Sequence, residues 1–250
     1  MAIFETQNLA VGYTHGKQTT TLLSGLNLSL DSGQLVALLG QNGAGKSTLI
    51  RALTFATKPI EGKILLHGVD FDTITKSERA RLLGLVSPER IQAGALTVSE
   101  LVGLGRQPYT GFLGRLSDDD RAIIADAISS VGMSHKAESF VANLSDGERQ
   151  KVMIARALAQ HTPIIVLDEP TAFLDFPGKI DLMLLLQRIA HEERKTILLS
   201  THDLETALQT ADRLWLLADG ALHDGTPHEL ADQGAQPSAQ CLRSLSIGAR

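Results

Sequence analysis

The run Gly40-Gln41-Asn42-Gly43-Ala44-Gly45-Lys46-Ser47 constrains the fold more than any other stretch of this chain, because of what stands on either side of it. It has the spacing G-x-x-x-x-G-K-S/T. The apolar Leu35-Val36-Ala37-Leu38-Leu39 leads into it and the helix-like Thr48-Leu49-Ile50-Arg51-Ala52-Leu53 leads out. Strand, glycine turn, helix is a unit of an α/β sheet. At average glycine usage such a spacing arises by chance in only about one chain in a hundred of this length, and the flanks lower that further. The glycines let the backbone curl so that successive N–H groups point inward, and the helix start adds partial positive charge to the concavity. Polyphosphate is the guest that such a cradle suits. Gly40, Gln41, Asn42, Gly43, Ala44, Gly45, Lys46, Ser47 and Thr48 are therefore the candidate phosphate-binding residues. Lys46 can reach the β- and γ-phosphates as a mobile point charge, and the Ser47 hydroxyl suits a Mg2+ that already holds phosphate oxygens.

Around this unit the chain alternates. Residues up to about 39 read as short strands with turns, including a strand Leu26 to Leu30. Gly62 to Leu66 and Leu83 to Ser87 read as strands around a short charged helix near Lys76 to Arg81. From about Leu96 to Gln160 the texture is mainly helical. Within it a segment begins at a Ser117 cap and carries Ile123, Ile124, Ala127, Ile128 and Val131 on one face. Strand character returns at Pro163 to Leu167 and Thr196 to Ser200, separated by a helix over Gly178 to Arg194. The expected fold is α/β: a core with a mostly parallel sheet, an antiparallel N-terminal part and an inserted helical subdomain. The expected division is a single domain over 1–250. Its core is 1–90 with 161–230, its helical subdomain 91–160, and 231–250 a polar tail expected to be poorly ordered.

Composition narrows the function. The chain has 250 residues, 43% of them hydrophobic, which is enough for a sizeable core, and its formal net charge of −5 comes with no basic block that would track a nucleic-acid backbone. The lone Cys241 rules out a disulfide framework within the chain and fits a reducing compartment. The N-terminus does not look like a secretion signal, and no apolar stretch approaches the roughly 20 residues that cross a bilayer. Work at a membrane would require docking to another protein.

Two further motifs carry chemistry. Ile164-Ile165-Val166-Leu167-Asp168-Glu169 is an apolar strand ending in two carboxylates, at the edge where α/β sheets hold ligands. Asp168 is placed to hold Mg2+ through its water shell and Glu169 to orient or deprotonate an attacking water; read alone, the pair is equally a solvated turn. Leu144-Ser145-Asp146-Gly147-Glu148 opens a helix as a capping box, and Ser145 with the Gly147 amide also suits a γ-phosphate. If this site lies on a separate helical lobe, a partner chain must supply it to the phosphate loop.

The order of phosphate loop, Leu-Ser-x-Gly-x signature, Asp-Glu strand, Thr171-Ala172-Phe173-Leu174-Asp175 and Ser200-Thr201-His202-Asp203 resembles the ATP-binding subunit of an ABC transporter over essentially the whole chain. The resemblance implies a P-loop NTPase fold, ATP and Mg2+ as ligands, and a head-to-tail homodimer with two ATP molecules at its interface. It implies that Tyr13 stacks on adenine, Asp175 lies at the dimer seam and His202 contacts the γ-phosphate. Tyr13 is alternatively a packing aromatic, and His202 a helix cap beside Asp203. The chain departs from the family at Asp146, usually Gly, and at Glu148, usually Gln. Where the family has a glutamine linking Mg2+ to the membrane partner, Glu89 is the best match, with Gln92 close by.

The segment Thr97 to Tyr109 resembles that of iron-chelate, haem and cobalamin importer ATPases, where Gly-Arg-x-Pro follows the helix facing the permease. The plain alternative is a helix ending at Gly105. The resemblance implies import of an iron complex, siderophore or haem, with cobalamin next. The implied partners are two integral-membrane permease subunits and, through them, an extracytoplasmic substrate-binding protein. The implied place is the cytoplasmic face of the inner membrane. The rival reading is a soluble ABC ATPase of the iron-sulfur assembly type that meets no permease.

Overall fold

The structure is a computed structural model that describes residues 2–16, 18–87, 95–111, 114–218 and 220–232. In chain order the strands are β1 (Ala2–His15), β2 (Gln18–Leu26), β3 (Ser29–Asp31), β4 (Leu35–Gly40), β5 (Glu61–Leu66), β6 (Val69–Asp70), β7 (Leu83–Val86), β8 (Ile164–Leu167), β9 (Thr196–Thr201), β10 (Arg213–Ala218) and β11 (Ala221–Gly225). The helices are α1 (Lys46–Leu53), α2 (Lys76–Leu82), α3 (Val98–Gly103), α4 (Asp118–Ser130), α5 (Asp146–Ala159), α6 (Phe176–Glu192), α7 (Leu204–Thr210) and α8 (Pro227–Asp232).

Two sheets form. One is antiparallel in the order β2-β1-β5-β6, with β3 on β1; the other runs β11-β10-β4-β9-β8-β7 and is parallel except for its β10–β11 edge. Strands β4, β8 and β9 are buried along their whole lengths, as expected of parallel strands covered on both faces. Their side chains alternate between two cores. Leu35, Ala37, Leu39, Ile165, Leu167, Ile197 and Leu199 face the helices α3 to α7, while Val36, Leu38, Ile164, Val166 and Leu198 face α1 and the antiparallel sheet. Each fully buried Leu or Ile contributes on the order of 1.5–3 kcal/mol over leaving it in water, so this central slab holds the strand ends firmly in place.

The order β4-β9-β8 positions the site. Leu39 pairs with Thr201 and Leu199 with Leu167, so the three strands reach their carboxyl ends side by side. The loop after β4, the Ser200–His202 turn and the Asp168–Glu169 pair therefore meet at one edge. This is the α/β arrangement expected from the sequence, with its antiparallel N-terminal sheet.

Several local expectations differ. β1 is 14 residues long rather than one of several short strands, and register shifts let it serve β2, β3 and β5 in turn. Leu26 to Leu30 is not one strand. Asn27 donates to the Gly25 carbonyl and accepts the Asn8 N–H, so its side chain stands where a ladder partner would be and separates β2 from β3. Within the helical stretch, the Ser117 cap is present as a box with Asp120, and Ile124, Ala127, Ile128 and Val131 are buried. Ala231 and Asp232 close α8 instead of opening the tail, whose remaining residues lie outside the described ones.

Candidate active site

Gly45 begins α1 at φ 101 with no side chain capping the helix. By contrast α2, α3, α4 and α5 each start on a complete capping box. The first N–H groups of α1 are thus left pointing into the phosphate loop with no side-chain acceptor, which is the arrangement of an anion site. Lys46 is 5% exposed, and its Nζ donates to the Gly40 carbonyl at 2.8 Å and to the Gln41 carbonyl at 3.3 Å. It also lies 3.1 Å from Glu169 Oε1.

The carboxylates occupy the next strand ends. Asp168 Oδ1 accepts from Ser47 Oγ at 3.2 Å and from Ser200 Oγ at 2.7 Å. The Glu169 N–H donates to the same Ser200 Oγ at 2.8 Å, and Glu169 takes φ 50, a left-handed conformation that a non-glycine residue adopts only where its surroundings hold it. Its Oε2 is 3.0 Å from His202 Nδ1. A carboxylate can only accept, so Nδ1 carries the hydrogen. His202 does not cap α7; Asp203 does, accepting the Thr206 N–H. Lys46, Ser47, Asp168, Glu169 and His202 thus form one connected network, with Ser200 as a member to which the sequence reading gave no role.

A divalent cation fits this donor set. Among the described residues no group of three or more His, Cys, Asp or Glu side chains could hold a metal by itself. One buried carboxylate and one hydroxyl, 3.2 Å apart, are what a Mg2+ needs when phosphates and waters supply its other oxygens. Glu89 and Gln92, the candidates for a further ligand, lie outside the described residues.

The remaining expected residues lie apart from this network. Tyr13 is 56% exposed near the end of β1, so it is no core packing aromatic. Asp175 caps α6, accepting the Gly178 N–H at 3.0 Å. Ser145 caps α5; its Oγ accepts the Glu148 N–H at 3.3 Å and donates to Glu148 Oε2 at 3.1 Å. The Lys136 ammonium, 2.5 Å from Glu148, is the main cause that holds the Glu148 carboxyl at about 2, followed by the Ser145 N–H. Asp146 lies 3.4 Å from Arg149, which offsets its added charge. A Cβ built on Gly147 would meet only Leu174 Cδ2, at 3.8 Å, so packing within the chain does not call for glycine there.

Arg106 turns inward. It is 6% exposed, pairs with Asp120 at 2.8 Å, donates to the Ala159 carbonyl at 2.9 Å and stacks on Tyr109 at 4.1 Å. The N–H of Ser117 foremost, then Arg106, holds the Asp120 carboxyl at about 2. The Gly105 to Tyr109 segment therefore ties α3, α4 and α5 together, a role hidden in the sequence because Asp120 reads there as a plain first-turn carboxylate.

Residues 23–172 match the family model described as ABC transporter. The chain is similar to an ABC transporter ATP-binding protein of Methanocaldococcus jannaschii, 39% identical over 86% of this chain and 73% of that protein. It is also similar to the ferric enterobactin transport ATP-binding protein of Escherichia coli, 36% identical over 90% of this chain and 82% of that protein. The dimeric structure of a bacterial ABC transporter cassette superposes with a TM-score of 0.75 at 28% identity, covering 90% of this chain and 98% of that one.

Proposed function

From the premise that this chain belongs to the ABC transporter ATP-binding family, whose members hydrolyse ATP, we propose that it powers the import of an iron complex. In this reading it works as a homodimer beneath two membrane permease subunits at the inner face of the membrane, and an extracytoplasmic binding protein delivers the cargo to them. Among the described residues no helix is long and apolar enough to cross a membrane; in this reading the permease subunits hold the chain at the membrane. The cargo class rests on the Gly105-Arg106-Gln107-Pro108 segment and on the likeness to the ferric enterobactin relative.

The observation that carries the reading is the single network at the ends of β4, β8 and β9. Phosphates enter the loop of residues 40–48, and Lys46 exchanges its contacts with the Gly40 and Gln41 carbonyls for phosphate oxygens. Glu169 orients a water for in-line attack on the γ-phosphorus and accepts its proton as the bond to the β–γ bridging oxygen breaks, releasing ADP. His202, tethered to Glu169, faces the transferring group, and Tyr13 stacks on the base. Ser47, Asp168 and Glu89 would hold Mg2+, which would supply charge neutralisation for the transferring phosphate. Ser145 and Gly147 of the second copy complete the pocket, with Asp175 at the seam; the open space above Gly147 supports approach from outside the chain.

The test is Glu169→Gln, which removes the base and leaves the binding groups. Saturated with ATP and Mg2+, this variant is expected to run as a dimer by light scattering, and the wild-type chain is expected to co-purify with an integral-membrane protein. A variant that stays monomeric sinks the shared-site reading. Purification with no membrane partner favours the soluble rival.

A further inference from the structure

We propose that Ser200 is a positioning residue for ATP hydrolysis: one buried hydroxyl that fixes both the metal-holding and the water-orienting carboxylate. The inference rests on the site reading given above. Ser200 lies on β9 between β4 and β8 and is 0% exposed. A hydroxyl that deep in an apolar strand must find partners, and many buried serines do so on a nearby carbonyl. Both partners of Ser200 instead belong to the site, since its Oγ donates to Asp168 Oδ1 at 2.7 Å and accepts the Glu169 N–H at 2.8 Å.

The two bonds do different work. The bond to Asp168, with that from Ser47, fixes Oδ1 from two sides, and among the described residues Oδ2 takes no hydrogen bond. The bond from Glu169 fastens the backbone of a residue at φ 50. Without it the peptide is free to relax toward an ordinary conformation, which would swing the carboxylate off Lys46 and His202. Each bond reaches a different element of the reaction, so loss of the hydroxyl should disturb both.

Ser200→Ala removes the Oγ with little change in volume, and Ser200→Thr restores it. With a non-hydrolysable ATP analogue bound, Mn2+ affinity read by electron paramagnetic resonance is expected to fall about tenfold in Ser200→Ala, the size of one charge-assisted hydrogen bond, and kcat to fall at least as far. KM for ATP is expected to stay within about twofold, because the phosphate loop is untouched. Ser200→Thr should recover both. If Ser200→Ala melts at a lower temperature yet keeps wild-type Mn2+ affinity and kcat, the hydroxyl is structural and the proposal falls. Should Ser200→Ala fail to fold, hydrogen exchange at the Glu169 amide of the wild-type chain decides: protection supports the bond, and free exchange overturns it. A wild-type chain that binds neither Mn2+ with nucleotide nor cleaves ATP overturns the site reading itself, and the role of Ser200 with it. A wild-type chain that does both while Ser200→Ala matches it overturns the role of Ser200 alone.

Discussion

Gly105→Ala is a single-methyl change whose cost can be worked from the structure. Gly105 lies in the 3-10 turn Leu104–Arg106 that leaves α3 and runs against the end of α5. A Cβ at this position would stand 2.3 Å from the Arg156 carbonyl oxygen and 3.2 Å from both Ala159 Cβ and the Gln160 nitrogen. The first contact is roughly 1 Å too short and meets backbone, so the turn and α5 must separate. Overpacking of this kind costs about 1–3 kcal/mol. Separation also stretches the 2.9 Å bond from Arg106 to the Ala159 carbonyl, a charged donor whose loss costs about 1.5–3 kcal/mol. Alanine returns only about 0.4–1 kcal/mol by restricting the unfolded chain. The net loss is about 1.5–5.5 kcal/mol, which for a chain of this size lowers the melting temperature by about 3–20 °C. Gly103→Ala is the control two residues away. Its Cβ would meet Ile124 and Leu116 side chains at 3.5 and 3.6 Å, ordinary contact distances, so it should melt at or above the wild-type temperature. Urea and thermal melts of the two variants decide the matter. Equal stability for both would refute the close approach of the turn to α5, and with it the account of why glycine precedes Arg106.

Two other outcomes follow from the site. Lys46→Ala is expected to lower the ATPase rate by about 100-fold or more, because the loop loses its one point charge on the transferring phosphate; wild-type turnover in this variant would mean the site is misplaced. Glu148 gives a pH signature. Lys136 and the Ser145 N–H hold its folded carboxyl at about 2 against an ordinary value of 4.5, so its stabilising effect is full above about pH 4.5 and lost as pH falls toward 2. Glu148→Gln should therefore melt lower than wild type at neutral pH and lose less on acidification through that window. Parallel melting curves from pH 6 to 2.5 would contradict this.

Much of the fold was legible because its signals were local. The apolar runs of β4 and β8 and the Ile197-Leu198-Leu199 centre of β9 read as strands covered on both faces, and the Ser117 cap and the Ser145–Glu148 box mark helix starts from a few residues of sequence. What escaped was non-local. β10 pairs with β4 across the whole chain, and nothing near Arg213 to Ala218 announces it as the strand beside the phosphate loop. The site divides the same way. Lys46, Ser47, Asp168, Glu169 and His202 stand out by residue type and spacing. Ser200 needed the strand order, since a serine after Ile197-Leu198-Leu199 gains meaning only when β8 is known to be its neighbour. Arg106 and Asp120 meet only through the packing of α3 on α4.

The departures at Asp146 and Glu148 bear on how readily the proposed dimer could form. Ser145 has one hydroxyl hydrogen, and within the single chain it is spent on Glu148 Oε2. For Ser145 to serve a γ-phosphate on a second copy, that hydrogen must change acceptor. The exchange leaves Glu148 still held by Lys136 at 2.5 Å and by the Ser145 N–H at 3.0 Å, so the carboxylate is not stranded. Lys136 likewise offsets the charge that Glu148 would otherwise set against the phosphate, and Arg149 does the same for Asp146 at 3.4 Å. A chain that places two acids where its family usually has neutral residues thus carries a cation beside each, and the helix start stays fit for an anion. In the proposed dimer, the carboxylate charge at this helix start is thus partly countered within each chain before a phosphate approaches.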